Sequence, residues 1–305
     1  MMFVRGNVFL ICIVSPLEYS FLVPLKDRST SEVYQALEAI LSAARAKGFD
    51  IRLIRSDNEG AMAKTEVVQM LQDRGASVDK VAPGKHASKA ERRIQFIKQK
   101  LRTIKAGLPY NMSKQMSKHA TLAANRFTNM RKATSSTSDL TPREKFLGRA
   151  FDFRKDAGIQ FGTYVQATVI ETDSSDKPRT ESCIALYPKE SNTPTMFILK
   201  IKGQRVVARS NLKVMPIPDV VVKLMDEDAE YDGLGPAYPE EHAESESHVE
   251  SDAPDTTDGN EMKTNFQPVN AQSRELSTPQ TETKTVHQKE NIQEIRVVGI
   301  ENRIN

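Results

Sequence analysis

Two carboxylates in this chain stand where they could do chemistry together. Asp57 sits in Ser56-Asp57-Asn58-Glu59-Gly60, just past the strand-like run Ile51–Arg55, and Glu91 follows 34 positions later in Ala90-Glu91-Arg92-Arg93-Ile94. A strand–helix–strand path between them can return both acids to one end of a sheet, and ligands of α/β sheets gather at strand ends. With no His or Cys nearby at ligand spacing, the pair suits a hard, oxygen-seeking ion, magnesium or manganese. Such ions activate an attacking hydroxyl and stabilise the leaving oxygen in phosphoryl transfer. The same residues admit a plainer reading: Asp57 caps the next turn, and Glu91 pairs with Arg92 or Lys98 on its own helix.

The surroundings of Glu91 give the pair a context. From Gly84 to Arg102 it is the one acid among seven bases (Lys85, Lys89, Arg92, Arg93, Lys98, Lys100 and Arg102), with Lys105 just beyond. Ala90, Ile94, Ile97 and Leu101 recur at three and four residues, the period of an amphipathic helix. The whole chain carries a net charge of only +3, but its charges are segregated. Between Lys80 and Lys132 fourteen bases face one acid, a local balance of +13, whereas fourteen acids and no base fall between Asp226 and Glu261. A basic block of that density predicts a phosphate backbone as partner, gripped by Lys85, Lys89, Arg92, Lys98 and Lys105, with Lys114 and Lys118 extending the face. Those contacts read backbone rather than sequence, and nothing resembles a base-reading helix-turn-helix or zinc finger. The acidic tail predicts disorder and could compete with DNA for the basic face.

The elements that must position these residues follow from period and punctuation. The run Val8–Val14 is apolar throughout, as in a strand covered on both faces, and Ser20–Val23 is a further strand. Ser29-Thr30-Ser31-Glu32 is a capping box that starts a helix carrying Val33, Leu37, Ile40, Leu41 and Ala44 inward and ending at Gly48. A helix over 65–74 and a strand over 77–81 lead to the basic helix. Another helix over 111–132 points Met112, Met116, Ala120, Ala123 and Phe127 inward. Pro142 opens a short helix. Beyond it, four or five short strands between residues 160 and 216 predict a small β-barrel or sandwich. Cys12 and Cys183 lie in apolar runs and read as buried thiols, in keeping with a reducing compartment. No apolar run reaches the length of a membrane span.

Taken in order, these features resemble the integrase catalytic core of retroviruses and retrotransposons. The likeness is carried by Phe9-Leu10-Ile11, by Ser56-Asp57-Asn58-Glu59-Gly60, and by His86-x4-Glu91-Arg92-x-Ile94-x2-Ile97-Lys98. Thr141-Pro142 with Phe146-Leu147-Gly148-Arg149 is similar to the segment that follows the core in copia-type elements. Glu181–Tyr187 and Val206–Leu212 look like the small β domain beyond it. The resemblance implies an α/β, ribonuclease H-like core with an incomplete first strand (1–133), a linker with a short helix (134–159), a small β-barrel-like domain (160–216) and a disordered acidic tail (217–305). It implies that Asp57 and Glu91 are catalytic and metal-binding, and that Lys98 approaches the DNA end. It also implies magnesium or manganese as cofactor, DNA and a second copy of the chain as partners, and the nucleus as workplace. The family's first aspartate would fall at or just before Met1, so a chain cut inside its first strand is expected to hold a metal weakly. The expected function is DNA end processing and strand transfer in the full-length form, or, as the alternative, non-catalytic nucleic-acid binding.

Overall fold

The apolar run at Val8–Val14 becomes the axis of the larger sheet. In this computed structural model, which describes residues 1–56, 64–80, 88–132, 138–169, 178–191, 193–231 and 294–297, β1 (Met2–Val4) turns through Arg5 and Gly6 into β2 (Asn7–Ser15). Arg5 and Gly6 carry φ of 46° and 72°, the doubly left-handed geometry of a two-residue hairpin, which glycine adopts without strain. β3 (Tyr19–Leu25) returns along one edge of β2. Phe9, Ile11 and Ile13 point to one face and Leu10, Cys12 and Val14 to the other, none more than 1% exposed. A strand without polar alternation needs that double cover.

One face of β2 packs on α1 (Thr30–Ala46) and α2 (Thr65–Asp73) through Val33, Leu37, Ile40, Val67 and Leu71. The other meets Ile94 and Ile97 of α3 (Ser88–Ala106) and Ala124 of α4 (Lys114–Asn129). The cap of α1 departs from the reciprocal box its sequence predicts. Ser29 Oγ accepts from Glu32 N at 3.3 Å, but Asp27 takes Ser29 N at 2.7 Å, and the Glu32 carboxylate accepts from Lys26 N instead. Two residues before the cap, Asp27 is simply the nearer carboxylate.

β4 (Leu53–Ser56) and β5 (Ser77–Lys80) continue the sheet in parallel. Between β2 and β4 lies β11 (Glu294–Val297), antiparallel to β2 and parallel to β4. Because β3 holds one edge of β2 from Val8 to Val14, β1 and β11 share the other edge end to end, β1 at Asn7–Phe9 and β11 at Cys12–Ser15. One strand line is thus supplied by two distant segments.

The second sheet is antiparallel, in the order β10 (Leu212–Val214), β6 (Tyr164–Thr168), β7 (Thr180–Pro188), β8 (Met196–Lys200), β9 (Val206–Arg209). Among the described pairings nothing joins β9 to β10, although the two outer strands share an apolar cluster, Val207 and Leu212 packing on Val165, Cys183 and Ile198. Its Ile184, Leu186 and Leu199 are covered by Met116, Ala120 and Ala123 of α4 and by Val221 and Met225 of α7 (Asp219–Tyr231). The helices thus cover one face of the sheet, and the other is buried on the sheet's own side chains. Between the sheets run α5 (Pro142–Leu147), opened by Thr141 and Glu144 in a full capping box, and α6 (Phe153–Asp156). The acidic tail expected to lack structure from residue 217 therefore begins with a helix. Val221, Met225 and Ala229 recur every four residues and are buried, a stripe masked by acidic neighbours. Residues 232–293 lie outside the described residues.

Candidate nucleic-acid interface

The basic helix is fixed from its apolar side. Ala90, Ile94 and Ile97 are fully or almost fully buried, and Leu101 and Ile104 extend their stripe against the cores. Its first turn is tied to the turn after β2: Lys89 Nζ lies 2.8 Å from Glu18 Oε1, and Arg93 Nη2 donates to the Glu18 carbonyl at 2.8 Å. Desolvation pulls the Arg93 pKa below its ordinary value, with the Glu18 charge opposing the shift. What remains for a ligand is the outer surface. Lys98, Arg102 and Lys105 are exposed and spaced four and three residues apart, so they form one line along the helix, with Glu91 seven residues before Lys98 at its head. From Glu91 to Lys105 that line is about 21 Å long, and Arg92 is exposed beside it.

Of the residues singled out in the sequence, Glu91 is half-buried in the first turn of α3. The adjacent Ala90 packs on Ile13. Cys12, Val297 and Ser56 form one row across β2, β11 and β4. The head of α3 thus lies one row from the end of β4 and two strands away, about 10 Å across the sheet. Asp57 and Lys85 lie outside the described residues. Lys89 is exposed, but its charge is engaged by Glu18, which makes it a tie of the helix as well as a candidate contact. Arg92, Lys98 and Lys105 are at the surface as expected. Lys114 and Lys118 instead line a separate cavity with Gln204 and Asp228. Among the described residues, no three His, Cys, Asp or Glu side chains converge as a metal site.

Three groups that could have been reactive are silenced by burial. Cys12 and Cys183 are free and buried, and desolvation pushes both thiols up to about 12. His119 is pulled down to about 4, first by burial and then by the Lys118 charge, and its Nδ1 lies 3.3 Å from the Tyr187 hydroxyl.

Sequence reasoning missed the polar joints that hold α4 in place. Asn125 and Asn129 both donate to the Ser20 carbonyl, at 2.9 and 2.8 Å, and Ser20 N donates back to Asn129 Oδ1 at 2.9 Å. Asp156, 2% exposed, receives Arg126 at 3.1 Å, Arg143 at 2.6 Å and Arg149 at 3.2 Å. The spacing of Asn125 and Asn129 on one helix face was a signal; their partner more than a hundred residues away was not. Phe127, expected inward, is 39% exposed, because α4 is covered by the second sheet only up to Ala123.

No protein-family model and no curated protein matches the chain. Among solved structures, its backbone is similar to the catalytic core domain of BIV integrase, with 12% sequence identity and a TM-score of 0.37 over 47% of this chain and 86% of that one. A likeness of that size bears on neither the site residues nor their chemistry. No described helix is long and apolar enough to cross a membrane.

Proposed function

We propose that this chain is a nucleic-acid-binding protein of the integrase-core type, derived from a copia-type retrotransposon, whose α3 lays Arg92, Lys98, Arg102 and Lys105 along the phosphate backbone of DNA. The observation that carries the reading is the exposed basic line on a helix whose apolar stripe, about a quarter-turn round from that line, is locked into two cores. Such a surface binds by releasing counterions, so its affinity falls steeply with salt. In the catalytic form of this reading, Asp57 and Glu91 would hold magnesium or manganese. Two carboxylates completed by water and phosphate oxygens are an ordinary ligand set for either ion. The metal would supply charge stabilisation for end processing and strand transfer. The chain's own part would be to hold the DNA and to supply the two acids.

The non-catalytic reading has one observation in its favour. In β11, the strand beside β4, the residue in the row of Ser56 is Val297, and the strand's acid, Glu294, is three rows back, about 10 Å away.

Binding of a blunt duplex across a salt series tests the main reading. Replacing Lys98, Arg102 and Lys105 by Ala should lower the slope of log K against log salt by about 2.7, at about 0.9 per phosphate contact; an unchanged slope refutes it. Magnesium-dependent joining of the same duplex, lost in Asp57→Asn and in Glu91→Gln, separates the two forms.

A further inference from the structure

Phe127 and Phe151 are 39% and 37% exposed, although Ala120, Ala123 and Ala124 on the same helix as Phe127 are buried to within 1%. Both rings line one groove of about 420 Å³, whose other walls include Thr103 and Ile104 of α3, Met130 and Phe161. Two cations complete it. Lys100 from α3 and Arg131 after α4 both line the groove, and both stand over the ring of Phe96, at 5.9 and 4.7 Å. Among the described residues no carboxylate lines the groove and neither cation has an ion pair. Apolar floor, exposed aromatic faces and unneutralised cations thus meet in one place.

We infer that this groove binds unpaired bases of single-stranded nucleic acid, the bases stacking on Phe127 and Phe151 while Lys100 and Arg131 hold the phosphates. The argument is complementarity. A duplex hides its base faces, and an apolar peptide has no use for two cations. A single strand offers flat π-faces and a phosphate at every step, and stacking on aromatic side chains tolerates any base. Arg131 already adopts the cation–π geometry that guanidinium groups use toward rings. The groove is also distinct from the duplex-binding line. At about 100° per residue, Lys100 lies roughly opposite Lys98, Arg102 and Lys105 around α3, so the two surfaces occupy opposite flanks of one helix. The class of ligand rests on the nucleic-acid reading above; the site does not.

Fluorescence anisotropy with three probes tests it: a short oligothymidylate, the same deoxyribose-phosphate strand without bases, and a blunt duplex. The unaltered chain should bind the oligothymidylate at least about 25-fold more tightly than the abasic strand, since each of the two stacked bases is worth about fivefold or more. The double variant Phe127→Ala/Phe151→Ala should lose that advantage and keep its duplex affinity. Phe127→Tyr/Phe151→Tyr should restore it. The Lys98→Ala/Arg102→Ala/Lys105→Ala variant should lose duplex binding and keep the preference for bases, so failure of either surface is seen separately. Equal binding of oligothymidylate and abasic strand by the unaltered chain would overturn the inference whatever the variants do. So would a full oligothymidylate advantage in the double Ala variant.

Discussion

Replacing Asp156 by Asn should loosen the joint at which α6 meets α4 and α5. Asp156 Oδ1 is the common acceptor of Arg126, Arg143 and Arg149, and Oδ2 takes the Asp152 N–H at 3.1 Å. The side chains of Asp156 and Arg143 are 2% and 1% exposed, that of Arg126 10%. Asn keeps the shape and one acceptor but removes the charge, leaving two buried guanidinium groups answered, among the described residues, by the partly exposed Glu190. Breaking a buried pair in this way costs about 3–5 kcal/mol. At about 2–4 °C per kcal/mol for a unit of this size, the melting temperature should fall by about 10 °C. Glu190→Gln removes a carboxylate whose side chain is 35% exposed, and should cost about 1 kcal/mol or less. Thermal melts of the two variants and the parent decide the matter. A fall of less than about 2 °C for Asp156→Asn, or a larger fall for Glu190→Gln, would show that the arginines find other partners and that the joint is held by its apolar contacts.

Two other outcomes follow from burial and pairing. His119 titrates near 4 when folded against an ordinary 6.5, so the unfolded chain takes up a proton that the folded one refuses. Stability should be whole above pH 6.5 and decline as pH falls toward 4, by an amount on the order of 3 kcal/mol; urea melts across that range should flatten in His119→Gln, and parallel curves would refute the assignment. Removing residues 294–305 takes away the partner that β11 gives to β2 and β4. Hydrogen exchange at Cys12–Val14 and Ile54–Arg55 should then quicken by tenfold or more while β7 and β8 stay protected, each lost ladder bond being worth about 1 kcal/mol. Unchanged exchange would show that β11 adds nothing to the sheet.

What the sequence revealed and what it hid divide along a physical line. Features set within a few residues were legible. The apolar run that became β2, the Ser29 cap and the stripe Ala90–Ile94–Ile97 on α3 are all fixed by local period and local hydrogen bonds. Features that need a second segment to close them were not. Ser20 finds Asn125 and Asn129 more than a hundred residues on, Asp156 gathers arginines from three places, and β11 enters the sheet beside strands from the other end of the chain. Phe127 shows why the boundary falls there. Period assigns it to the same face as Met116, Ala120 and Ala123, and it does lie on that face. A face is buried, however, only as far as another element extends over it, and the cover stops one turn short. The exposed ring is therefore not an error of helical pattern. It marks the edge of a contact surface, and on this chain that edge is where two cations and a second phenylalanine also stand.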